Sequence, residues 1–322
     1  MRVLIVGCGY VGVPLGAELA KQGHEVFGLR RTRSAEAELK EAEIKPLIAD
    51  ITKPEDLENV SERRFDWVVN TVSSTGGGSA DYRQVYLEGM RNLLQWLAPA
   101  PPRRFLYTSS TSVYVQTDGS IIDETNAAQP ASPTSQVLLE TEQVLLKGIR
   151  PGGASVPEVA GPAGVIRGPT FPAIVLRVAG IYGPARGYWL QQFLRGEAKI
   201  EGDGKRILNM VHRDDLVSVI IAALSQGQPG EIYNVVDDEP VAQIEVFRWL
   251  SATLGRALPP VAGEAELAPR KRALTNKQVL NTKLKRELGY QFKYPTFREG
   301  FMAEIQRLNC LPQFPVKREP AP

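Results

Sequence analysis

RVLIVGCGYVG, residues 2–12, is a short apolar run that empties into a turn with glycines at positions 7, 9 and 12. The run has the length of a buried strand, and the residues after Gly12 take up a helical pattern. The glycines therefore stand at a strand–turn–helix junction, where each has a task. Gly7 makes the tight turn, Gly9 lets the backbone approach a pyrophosphate, and Gly12 lets the helix pack closely on the strand. Tyr10 and Val11 fall at the helix amino terminus, where free N–H groups and the helix dipole favour negative charge. The junction predicts a dinucleotide site; the bland alternative is only a tight turn.

Outward from this junction, apolar runs alternate with helical patterns. Strands are expected at 2–6, 24–29, 45–49, 65–71, 104–109 and 173–178, and helices near 10–22, 82–97 and 134–147. That alternation predicts an α/β fold, a Rossmann-type doubly wound parallel sheet covered on both faces. Its ligand crevice should lie at the carboxyl ends of the strands. A helix at 215–224 and a strand at 231–236 read as a return to the sheet. The expected division is a dinucleotide-binding domain over 1–182, with 210–236 returning to it, and a smaller carboxyl-terminal substrate lobe mainly over 183–322. Residues 148–172 contain eleven Gly or Pro among twenty-five and read as a loop inserted away from the crevice. The tail PQFPVKREPAP reads as loose.

Composition narrows the function classes. With 322 residues, 43% hydrophobic and a net charge of +2, no global field recruits nucleic acid. Cys8 and Cys310 make no disulfide framework, and His24 and His212 are too few and too far apart for a metal centre. The amino-terminal run lacks a signal peptide's pattern, and no run is long enough to span a bilayer. A reducing, cytoplasmic setting with no membrane partner is the expectation.

The second strand ends in GLRRTR, with Arg30 eighteen residues beyond Gly12 and Arg31 next to it. An NAD site puts an acid near this point to hold the ribose hydroxyls. Guanidinium groups instead pair bidentately with a 2′-phosphate, so NADP is favoured and NAD is the alternative. Asp50 and Ile51 end the third strand, where they would flank the adenine, or Asp50 would cap a turn. Thr71, Val72 and Ser73 follow the fourth strand and should pass the ribose or nicotinamide.

Further segments resemble the short-chain dehydrogenase/reductase superfamily, especially its extended NAD-dependent epimerase/dehydratase group. RFLYTSSTSVYV (104–115) is similar to its fifth strand and active-site serine segment, and VLRVAGIYGP (175–184) to its sixth strand and substrate loop. LNMVHRDDLVSVIIAAL (208–224), GEIYNVVDDEP (230–240) and KRALTNKQVLNTKLKRELGYQFKYPTFREGF (271–301) resemble later family segments. The resemblance implies that Ser110 hydrogen-bonds the reacting oxygen and that the second lobe binds a nucleotide sugar. It also implies a homodimer through the helices near 82–97 and 134–147.

Two departures stand out. Val6 occupies the first position of the group's usual three-glycine pattern. More seriously, Thr134 and Leu138 stand where the family carries a tyrosine and a lysine. That pair shares a helix face, and the ammonium lowers the phenol's pKa so that it exchanges a proton with substrate. Threonine is far too weak an acid and leucine carries no charge. The resemblance is thus to the atypical branch.

Ser110 remains as a catalytic candidate. Tyr114, four residues on, is the nearest aromatic hydroxyl in sequence that could replace the acid. Tyr182 reads as a pocket wall, Arg186 as a cation for a substrate phosphate, as do Arg195, Lys205 and Arg206, and His212 as a group facing substrate. Asp214 and Asp215 read as helix caps. Two functions stay open: an oxidoreductase or epimerase/dehydratase-type enzyme with non-standard catalytic residues, and a non-catalytic NADP(H)-binding sensor.

Overall fold

Strand β1 (Arg2–Val6) buries four consecutive apolar residues because it is covered on both faces. Leu4 and Val6 pack into one apolar cluster, Val3 and Ile5 into another. The computed structural model describes residues 1–74, 76–147, 171–263 and 275–309. Most of the Gly/Pro-rich segment, residues 271–274, Cys310 and the proline-rich tail lie outside them.

Seven strands form the sheet: β1, β2 (Glu25–Arg30), β3 (Lys45–Ile48), β4 (Trp67–Asn70), β5 (Arg104–Ser110), β6 (Ala173–Val178) and β7 (Ile232–Val235). Their spatial order is β7-β6-β5-β4-β1-β2-β3, and every neighbouring pair is parallel. The winding direction reverses between β1 and β4, which opens a crevice at their carboxyl ends.

Helix α1 (Gly12–Lys21) packs Leu15 and Leu19 on one face of the sheet. Helices α2 (Gly89–Leu97) and α3 (Pro133–Leu146) cover the other face, with Leu93, Trp96, Val137 and Leu145 buried there. Ser132 caps α3 by accepting from the Ser135 N–H, and Pro133 opens its first turn. Each buried aliphatic side chain contributes about 1.5–3 kcal/mol.

A third apolar cluster gathers α4 (Tyr188–Arg195), α6 (Gln243–Leu254) and α7 (Phe297–Arg307), all on the carboxyl-terminal side of residue 182. Phe193, Phe247, Leu250, Phe297, Phe301 and Ile305 are among its members. Helix α5 (Arg213–Gln226) instead returns to the sheet, packing Leu216, Val219 and Ile220 beside the residues of α1. Among the described residues no helix is long and apolar enough to cross a membrane.

Beneath the carboxyl end of β5 lies a buried polar network. Arg177 on β6 and Glu142 on α3 form an ion pair at 2.7 Å, with side chains only 5% and 2% exposed. Ser109 donates to Glu142 at 2.5 Å, and Arg177 donates to the Tyr114 hydroxyl at 2.9 Å. Two charges so deeply buried hold only because every partner is present.

Candidate functional site

The crevice between β1 and β4 holds two adjoining cavities that share Gly7, Gly9, Val72 and Ser73. The first, about 220 Å³, is also lined by Arg30, Arg31, Asp50 and Ile51. The second, about 210 Å³, adds Tyr10, Val11, Thr71, Ser110, Leu138 and Arg186. Of the residues expected to bind a cofactor, only Gly12 lies behind the cavity walls.

The turn between them is shaped by backbone. Gly7 has φ +76°, and a Cβ there would sit 2.7 Å from the backbone of Val72, so the two loops touch through the glycine. A Cβ on Gly12 would meet Ile5 at 2.9 Å, which is the close helix–strand packing that this position was expected to allow. Thr71 ties the loops again, its hydroxyl donating to the Gly7 carbonyl at 3.1 Å. Helix α1 starts with no side-chain cap and no acid in its first turn. Its amino end thus meets the crevice with positive potential uncompensated.

Arg30 reaches back across this turn, Nη1 donating to the Cys8 carbonyl at 2.7 Å. It therefore braces the glycines as well as lining the first cavity. Arg31 is exposed at the rim. Asp50 accepts from the Thr52 N–H and hydroxyl at 2.9 and 2.8 Å, so it caps a turn and borders the cavity at once. Cys8 is packing: burial pushes its thiol up to about 12.

A third cavity, about 300 Å³, opens beside the second, and Ser110 lines both. Thr111, Ser112, Tyr182, Trp189, Arg206, Asn209 and Lys277 are among its other walls. The Ser110 hydroxyl oxygen accepts from the Ser112 N–H at 3.2 Å. Thr134 and Leu138 are both buried on α3, and Leu138 reaches the second cavity as an apolar wall. The face on which the resembled family carries a phenol and an ammonium presents a threonine hydroxyl and an apolar side chain here.

Two of the expected site residues are turned away from these cavities. Tyr114 lines none of these cavities: it is fully buried, its hydroxyl donates to Asn234 at 3.0 Å and accepts from Arg177, and burial raises its pKa. A proton donor so engaged does not face substrate. His212 is also buried and lines none of the three, because Tyr294 and Tyr182 pack against its ring at 3.9 and 5.3 Å. Its Nδ1 accepts from the Asp214 N–H, so it caps α5 itself, and burial lowers its pKa. Arg186 lies over the Tyr10 ring at 4.5 Å and lines the second cavity rather than the third.

Asp215 does not cap α5 but pins the later chain, accepting from Tyr290, Lys293 and Tyr294. Tyr182 is a wall of the third cavity, with its phenol pKa raised by burial. Of the remaining second-lobe cations, Arg206 reaches that cavity while paired with Glu201 at 2.9 Å, and Lys205 pairs with Asp203 at the surface. Arg195 is exposed at the end of α4.

Lys277 was missed by sequence reasoning. It is 3% exposed, and burial holds its pKa down to about 8. The available signal was slight: Lys277 and Val279 are two apart before a helix, which in an extended segment puts both on the buried side.

The model of the NAD dependent epimerase/dehydratase family matches residues 3–145. Protein YeeZ of Escherichia coli K12 is 25% identical over 299 residues, covering 91% of this chain and 96% of that protein. A Streptomyces 3-diazoavenalumate denitrifying reductase is 27% identical, over 94% of this chain and 100% of the relative. The fold is similar to that of DesIV, the dTDP-glucose 4,6-dehydratase of Streptomyces venezuelae, solved with NAD and TYD bound. That match has a TM-score of 0.75 at 21% identity, over 96% of this chain and 97% of the other.

Proposed function

The chain belongs to the extended and atypical short-chain dehydrogenase/reductase superfamily, epimerase/dehydratase-like, and from that premise we propose that it is an NADP-preferring oxidoreductase. Its substrate is a small carbonyl or hydroxyl compound, or a nucleotide-sugar-like one. The observation that carries this reading is the seam at Ser110, which borders the cofactor crevice on one side and a separate cavity on the other.

The residues fit the cofactor. The uncapped amino end of α1, with Gly9, Tyr10 and Val11, holds the pyrophosphate. Arg31 and Arg30 take the 2′-phosphate, Asp50 and Ile51 flank the adenine, and Thr71, Val72 and Ser73 border the ribose and nicotinamide. Bound NADP(H) supplies a hydride acceptor or donor. Ser110 holds the reacting oxygen by a hydrogen bond, and the apolar Leu138 beside it excludes water.

The relative named as a denitrifying reductase supports reductive chemistry on this scaffold. The same reading carries the division at residue 182, a cytoplasmic setting, and a homodimer through the helices near 82–97 and 134–147, which light scattering would detect. The function is tested with NADPH deuterated at nicotinamide C4 and a panel of ketones, aldehydes and nucleotide sugars. Stereospecific deuterium transfer is expected. Tight cofactor binding with no transfer to any acceptor, and a change of assembly between NADP and NADPH, would favour the sensor reading instead.

A further inference from the structure

Lys277 donates to the Tyr114 carbonyl at 2.8 Å and to Thr275 Oγ1 at 3.0 Å. Both acceptors are neutral, and among the described residues no carboxylate lies within ion-pairing distance of its ammonium. Burial alone, with no neighbouring charge contributing, holds its pKa down to about 8. Buried ammonium groups are almost always paired, since leaving one unpaired is costly. A partner of opposite charge is therefore wanted at this point.

The rest of the third cavity says what that partner looks like. Among the described residues no Asp or Glu lines it, and its other cation there, Arg206, is already held by Glu201. Tyr182, Tyr188, Trp189 and Phe301 give it aromatic walls. At about 300 Å³ it stands at the small end of ligand pockets, which run to about 1,000 Å³. Such a space suits a single ring with a short side chain better than a nucleotide diphosphate sugar.

We propose that this cavity takes a small aromatic carboxylate, its acid group on Lys277 and its ring against the aromatic walls, leaving the reacting end at Ser110. The inference rests on the proposed function and narrows its substrate class. An ammonium–carboxylate contact at this buried lysine is charge-assisted and strong. It also explains why the lysine is tolerated: bound substrate supplies the missing charge.

The test is calorimetric titration of the NADP-loaded protein with cinnamate and with its uncharged methyl ester. The acid should bind about tenfold more tightly or better at about pH 7. That advantage should fade towards about pH 9, as the lysine loses its proton. Arg206 and the phenols of Tyr182 and Tyr188 share the cavity, and arginine stays charged throughout this range. Lys277→Met should reduce the acid to the ester's affinity while NADP affinity stays near wild type and the melting temperature does not fall. Equal binding of acid and ester by the wild type, or an acid preference that survives Lys277→Met, overturns the proposal. So does UDP-glucose binding more tightly than cinnamate in a Lys277-dependent way. If NADP fails to bind, the functional reading falls by itself, and the same two ligands titrated without cofactor decide the lysine's role.

Discussion

The cofactor crevice and the third cavity meet at Ser110 yet are made in different ways. The crevice is built mostly from consecutive strand ends between residues 6 and 73, and its shape comes from backbone: a left-handed Gly7, a bare helix end, loops in contact. The third cavity is gathered from residues 110–112, 179–182, 187–189, 206–210, Thr275, Lys277 and Phe301. Its chemistry lies in side chains whose meaning depends on what the fold brings beside them. A backbone site tolerates variation around it; a side-chain site is where the chemistry of one member departs from another's.

The sharpest way to break both regions at once is through the ion pair beneath them. Glu142→Gln strands the Arg177 guanidinium in the interior, and stability should fall by about 3–5 kcal/mol in denaturant unfolding. Next in size, Ser110→Ala acts at the seam. Turnover should fall about 100-fold once a substrate is in hand, with NADPH affinity near wild type, because the reacting oxygen loses its hydrogen-bond partner.

A smaller effect belongs to the third cavity alone. Lys277 has a folded pKa of about 8, whereas the unfolded chain holds that proton to about 10.4. Between these values the unfolded state binds more protons, so this group makes stability rise with pH, by at most about 1.4 kcal/mol per unit. Below about pH 8 both states are protonated and the burial penalty is constant. Unfolding curves for wild type should show that rise relative to Lys277→Met; parallel curves would mean an ordinary lysine. Smallest of all in its functional effect, Tyr114→Phe should cost about 1–3 kcal/mol of stability from the lost bonds to Asn234 and Arg177. Cofactor affinity and turnover should remain near wild type, as befits a tyrosine outside the site.

The same contrast governs what could be read beforehand. The three glycines carry their geometry in their identity, and alternating apolar runs announce the parallel sheet. Thr134 and Leu138 were legible as a missing acid because a helix fixes which residues share a face. Tyr114 misled because its partners Asn234 and Arg177 lie 120 and 63 residues away. His212 misled likewise: only the packing of Tyr294 from the later chain turns it inward. Lys277 stayed hidden because its spacing from Val279 is only a slight local mark of burial. Its place depends on the Tyr114 carbonyl, 163 residues distant.

The most direct test of the account is calorimetric titration of wild type and Arg31→Ala with NADP and with NAD. Arg31 is the cleaner of the two arginines, since Arg30 also braces the glycine turn. Wild type should prefer NADP, and the variant should lose about 10- to 100-fold in NADP affinity with NAD binding unchanged. Equal losses for both cofactors, or no preference in the wild type, would contradict the assignment of these guanidinium groups to a ribose phosphate.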